Sequence, residues 1–129
     1  MAVVVQDRDC SRALREACDV ALSILSDASE ALGKGRGRGS GLARLLRRAA
    51  ETLSGAVEPC IAGCWGSVEP RCTVGELADR LQAVLQGVAL RVEKLPRLES
   101  EVEVALAEAL VDTVYGLVEA LCRSGMQLG

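Results

Sequence analysis

Six cysteines, Cys10, Cys18, Cys60, Cys64, Cys72 and Cys122, are the residues of this chain best suited to covalent chemistry. Their thiols have three ordinary fates: disulfides, a thiolate metal site, or burial as small apolar groups. A zinc site would draw on Cys60, Cys64 and Cys72 plus a distant fourth sulfur. The C-x3-C-x7-C spacing lacks the paired CxxC knuckles of most such sites. No CxxC occurs anywhere, which argues against a redox dithiol. Disulfides are therefore the preferred expectation, and all six cysteines are candidates for them.

Hydrolytic chemistry has little to work with. The chain contains no His, Phe or Asn. Without His it lacks the usual general base near neutral pH, the commonest metal ligand and the Ser-His and Cys-His pairs. The acids Glu101, Glu108 and Asp112 recur on one helix stripe, where solvated surface carboxylates are the ordinary case. The expectation is a protein that is not an enzyme, with no metal and no cofactor.

The second chemically distinctive stretch is GKGRGRGSG, residues 33–41. From Ala31 to Ala50 there are six basic residues, Lys34, Arg36, Arg38, Arg44, Arg47 and Arg48, and no acidic one. The rest of the chain carries nine basic against eighteen acidic residues, so the net charge of −3 conceals a basic pole. Glycines allow backbone amides to approach an anion closely, and guanidinium groups bind phosphate oxygens in pairs. The segment is neither a P-loop nor a dinucleotide fingerprint, since both require a preceding strand and a different glycine spacing. Alternating Arg and Gly suit a nucleic-acid backbone, DNA or RNA, read without sequence specificity. Stacking on bases is not expected, because Trp65 and Tyr115 are the only aromatics and lie outside this segment. A solvated connection that aids solubility and an acidic protein partner are the alternatives.

These residues must be positioned by helices. Apolar residues recur at helical spacing through about 9–32, 41–58, 74–95 and 97–123, with Gly33, Pro59 and Pro96 as breaks. In the first helix Leu14, Cys18, Ala21, Leu25, Ala28 and Leu32 share a face opposite Arg12, Glu16, Asp19, Ser23 and Glu30. Thr73 with Glu76 reads as a capping box opening a third helix through Leu77, Leu81, Val84 and Val88. The expected fold is all-α: one domain over residues 1–129, an up-down-up-down four-helix bundle with the Gly/Arg-rich loop between helices 1 and 2. That topology gathers the six cysteines in or near one half of the bundle.

The fourth helix is apolar on two sides. Val102, Leu106, Ala109, Leu110, Thr113, Leu117 and Leu121 form the expected core face. Val104, Ala107, Val111, Tyr115 and Val118 lie opposite, and Val104, Val111, Tyr115 and Val118 are the candidate oligomer interface, since a bundle helix ordinarily buries one stripe.

Together these features suggest a structural subunit that self-associates, or joins a partner subunit, in a nucleoprotein assembly. A filament or virion coat protein and a small helical subunit of a CRISPR-type complex both fit in size and class, without a diagnostic motif for either. An interaction adaptor with no nucleic-acid role is the alternative. No apolar run approaches the ~20 residues of a membrane span, so no membrane partner is expected. The first residues, MAVVVQDRDC, lack a basic n-region, so an intracellular location or one within a virion is expected rather than secretion by a signal peptide. The 13 Arg against 2 Lys fit a GC-rich genome or a thermophile, and archaeal hyperthermophiles tolerate intracellular disulfides.

Overall fold

The computed structural model describes residues 2–33, 39–64, 69–94 and 101–126, with side chains from Arg8 to Gly125 within those ranges. Helices α1 (Ala2–Gly33), α2 (Gly39–Ile61), α3 (Pro70–Glu93) and α4 (Glu101–Met126) make up the described residues together with short turns. They pack as a bundle around one apolar cluster to which all four contribute. Each helix borders the next, and α4 also borders α1. The α2–α3 contact is the broadest and α3–α4 the slightest of these four.

The first two helices follow their sequence patterns. Leu14, Cys18, Ala21, Leu25, Ala28 and Leu32 are all buried, and Arg12, Glu16, Asp19, Ser23 and Glu30 lie on the outer side. In α2, Leu42, Leu46, Ala49 and Leu53 turn inward in the same way. The helix continues past Pro59 to Ile61 instead of stopping at 58. Proline removes a single donor, and the helix ends within a turn of it. Gly63, at φ 74°, then takes a left-handed conformation that an L side chain disfavours.

Helix α3 begins earlier than the capping-box pattern suggests. Pro70 occupies its first turn, Glu69 is the N-cap residue, and no side chain caps the end. Proline is preorganised for that position, whereas Thr73 lies one turn inside. The core face is also rotated from the expected one: Val74, Ala78, Leu81, Leu85, Ala89 and Val92 are buried, while Leu77 and Val84 are exposed. The α2 contact sets this rotation. Gly75 lies so close to α2 that a Cβ there would fall 2.8 Å from Cys60 Cβ and 2.6 Å from Ile61 Cγ2. Cys60 is held by a disulfide and cannot retreat. Gly75→Ala is expected to destabilise the protein by about 1–2 kcal/mol, although helix propensity alone favours Ala by about 1 kcal/mol. Gly87→Ala, in the same helix with nothing within 4 Å of its Cβ, is expected to raise the melting temperature slightly. Thermal denaturation of the two variants checks the opposite signs.

Helix α4 is turned so that most of the expected core face lies outside. Leu121 of that face is buried and Leu110 packs against the core, but the other buried residues are Ala107, Val111, Val114 and Val118, and Val104 and Tyr115 are half-buried. Of the candidate oligomer residues, Val111 and Val118 thus lie in the protein's own core and Tyr115 packs against it, so these three do not form an outer surface, while Val104 is half-buried. Val102, Leu106 and Leu117, expected inside, are 79%, 52% and 46% exposed, and Ala109 and Thr113 are exposed with them. The physical reason is Cys122. At about 100° per residue it shares a side with Val104, Val111, Tyr115 and Val118, and its bond to Cys18 of α1 turns that side inward.

Candidate nucleic-acid interface

Among the described residues all six cysteines are paired: Cys10–Cys60, Cys18–Cys122 and Cys64–Cys72. The first ties α1 to the last turn of α2, the second ties α1 to the last turns of α4, and the third closes the turn between α2 and α3. Cys60, Cys64 and Cys72 therefore do not converge on a zinc ion. Among the described residues no group of three or more His, Cys, Asp or Glu is placed to hold a metal.

The bridges bracket Arg71, a buried guanidinium at the start of α3 that the sequence pattern did not single out. Its Nη1 donates to the carbonyl oxygens of Cys60 at 2.9 Å and Ala62 at 2.8 Å, and its Nε lies 3.2 Å from Glu69 Oε2. These carbonyls belong to the end of α2, where the last turn of a helix lacks donors of its own and carries partial negative charge. No local signal in EPRC marks that role, because the acceptors lie 9 and 11 residues away.

The basic segment is positioned by the first half of α2. Arg44 and Arg48, one turn apart, are exposed on the side facing away from the core. Arg47 is half-buried and turned sideways to α3, where its two terminal nitrogens lie 3.5 and 2.5 Å from the Glu93 carboxylate oxygens. The hydrogen bond to Glu93 raises the Arg47 pKa above the ordinary arginine value, and the same bond holds the Glu93 carboxyl below the usual carboxylate range. Arg47 is thereby committed to a structural pair, and a phosphate would have to compete with Glu93 for it. Lys34, Arg36 and Arg38 lie outside the described residues. The structure thus brings Arg44 and Arg48 together and draws Arg47 aside. Glu51, one turn after Arg48 and exposed on the same side, limits the positive surface along the helix.

The cavities offer little for small-molecule chemistry. A cleft of about 80 Å³ between α1 and α4 has the apolar groups Leu14, Leu22 and Cys122 beside Arg15 and Asp19. An open depression of about 480 Å³ near Asp9, Glu58 and Pro59 is shallow and faces solvent. Glu108 and Asp112 are exposed on α4 and line neither.

No protein-family model, curated protein or solved structure matches the chain. What the protein does is therefore argued from its own residues. Among the described residues no helix is long and apolar enough to cross a membrane.

Proposed function

We propose that the protein is a non-enzymatic structural subunit that self-associates or joins a larger nucleoprotein assembly, contacting nucleic-acid backbone through segment 33–41 and the outer side of α2. The observation that carries this reading is the run from Ala31 to Ala50, six basic residues and no acidic one, with Arg44 and Arg48 both directed away from the core. Phosphate contact of this kind needs no aromatic platform and no base-reading element. An up-down-up-down arrangement belongs to the proposal. It is supported by three links: Cys60 at the end of α2 meets Cys10, Cys122 near the end of α4 meets Cys18, and Arg47 in the first half of α2 meets Glu93 at the end of α3. Three disulfides favour a non-reducing setting, such as a virion or the interior of a hyperthermophile.

The test is a titration with double-stranded DNA and single-stranded RNA at several salt concentrations. Binding is expected to weaken steeply with salt. Arg44→Ala/Arg48→Ala is expected to flatten the logarithmic salt slope for duplex DNA by about 2, roughly one for each phosphate that is no longer neutralised. Arg47→Ala, whose side chain is engaged by Glu93, is expected to change the slope less. Absence of binding at low salt, or an unchanged slope in the double variant checked for folding by circular dichroism, would leave the adaptor reading in its place. That reading draws on the exposed apolar side of α4.

A further inference from the structure

Among the described residues, a long apolar surface left open by the bundle is the outward side of α4. Val102, Leu106, Ala109, Thr113, Leu117 and Ala120 fall within one stripe at about 100° per residue, and every one of them except the half-polar Thr113 is apolar and at least partly open to solvent. At about 1.5 Å per residue the stripe runs roughly 25 Å along the helix. Its surroundings follow from the packing. Cys122 places α1 on one flank of α4. On α3, Arg71, Gly75 and Glu93 all meet α2, so the flank bearing Leu77 and Val84 is the one toward α4. The α4 stripe and the exposed Leu77 and Val84 therefore border a single face of the molecule.

This face is bounded by charge of opposite sign on its two edges. Arg80, Arg91 and Lys94 are exposed along the α3 edge, with Arg80 paired to Glu76 at 3.2 Å. Glu101, Glu108 and Asp112 are exposed along the far edge of α4, on the side away from α3. Arg91 and Lys94 end α3, and Glu101 and Glu108 begin α4 a short connection later, so the strongest cations and anions stand at the same end of the face.

We infer that this face is where two copies of the chain dock, with α4 packed against α4 about a two-fold axis parallel to the helices. The inference rests on the self-association part of the function proposed above and is independent of nucleic acid. For two identical faces to meet, the two-fold axis must lie in the plane between them. An axis along the helices lays each acidic α4 edge against the other copy's α3, so that Glu101 and Glu108 oppose Arg91 and Lys94. An axis across the helices reverses their direction, so that Glu101 and Glu108 meet the C-terminal half of the other copy's α4, where Arg123 is already paired with Glu119, and Arg91 and Lys94 meet the first half of its α3; the attraction between the two charged ends is then lost. The charge pattern thus selects the occupant and its orientation together. The apolar stripe supplies the dry centre and the charged edges the rim.

Sedimentation equilibrium of the whole, disulfide-bonded chain tests this. The wild type is expected at twice the chain mass of 13.6 kDa, or at multiples of it in a larger assembly. Leu106→Glu/Leu117→Glu, at two exposed positions, is expected to be monomeric with an unchanged circular-dichroism spectrum. Arg91→Glu/Lys94→Glu and Glu101→Arg/Glu108→Arg are each expected to weaken the dimer about tenfold or more, and mixing the two variants is expected to restore both charged edges in the mixed dimer. The chain carrying all four substitutions should recover dimer affinity at both edges. Within one copy the acidic edge lies on the far side of α4 from α3, so that rescue reports pairing between copies. A wild type that stays monomeric at high concentration overturns both the inference and self-association. An oligomer that survives Leu106→Glu/Leu117→Glu, or charge reversals without mutual rescue, overturns the inference and leaves self-association through another face.

Discussion

Replacing Cys18 and Cys122 together by Ala is expected to lower the melting temperature by about 10–20 °C. Their bridge spans 104 residues, the longest separation of the three. In the chain-entropy account a closed loop of that size restricts the unfolded ensemble by about 4–5 kcal/mol. For a domain of this length each kcal/mol shifts the midpoint by several degrees. The Cys10–Cys60 bridge, separation 50, is expected to follow closely, and Cys64–Cys72, separation 8, to matter least, at about 2–3 kcal/mol. Burial sets a second ordering. Cys10 and Cys60 are fully buried, whereas Cys64 and Cys122 are each half-buried, so mild reductant should open Cys10–Cys60 last. Calorimetry of the three paired-Ala variants, with thiol titration of the native protein, checks both. Six titratable thiols in the folded protein, or a midpoint shift below about 3 °C for the Cys18/Cys122 variant, would show that the bridges do not hold the fold.

Arg71→Met is expected to cost about 2–4 kcal/mol, because it removes a charged donor from the Cys60 and Ala62 carbonyls at the end of α2 while leaving the Cys60 acceptor enclosed. Methionine keeps much of the side-chain volume, so the loss reports the missing donors and not a cavity. Arg71→Lys is expected to recover only part of the loss: an ammonium group keeps the charge but cannot reach both carbonyls and Glu69 with a planar fork. Urea denaturation with unchanged m-values makes the comparison. If Arg71→Met unfolds within about 0.5 kcal/mol of wild type, the guanidinium is not what closes this end of the bundle.

How much was legible beforehand depended on whether local periodicity had one solution. In α1 and α2 the apolar residues form a single stripe, so Leu14, Leu25, Leu42 and Leu53 could point only one way, and they are buried. Apolar residues at helical spacing, with Gly33, Pro59 and Pro96 as breaks, were enough to indicate helices throughout. Cysteine usage indicated disulfides, but six cysteines allow fifteen pairings, and spacing does not choose among them.

Only the tertiary structure decided the rest. Helix α4 carries apolar residues on two sides, and local hydrophobicity ranks them nearly equally. The bond from Cys122 to a residue 104 positions away selects the Val111 and Val118 side and leaves Leu106 and Leu117 in solvent. Helix α3 is rotated because a glycine and a buried arginine meet the end of α2, a contact that no periodicity within α3 encodes. Arg47 looked equivalent to Arg44 and Arg48 on the helix surface, yet it is claimed by Glu93, 46 residues on. Composition and periodicity are local sums along the chain, and they determined helices, a basic segment and a disulfide-bonded class. Which of two apolar sides is buried, and which of three arginines remains outward, are settled by contacts between residues distant in sequence, whose energies no local window contains.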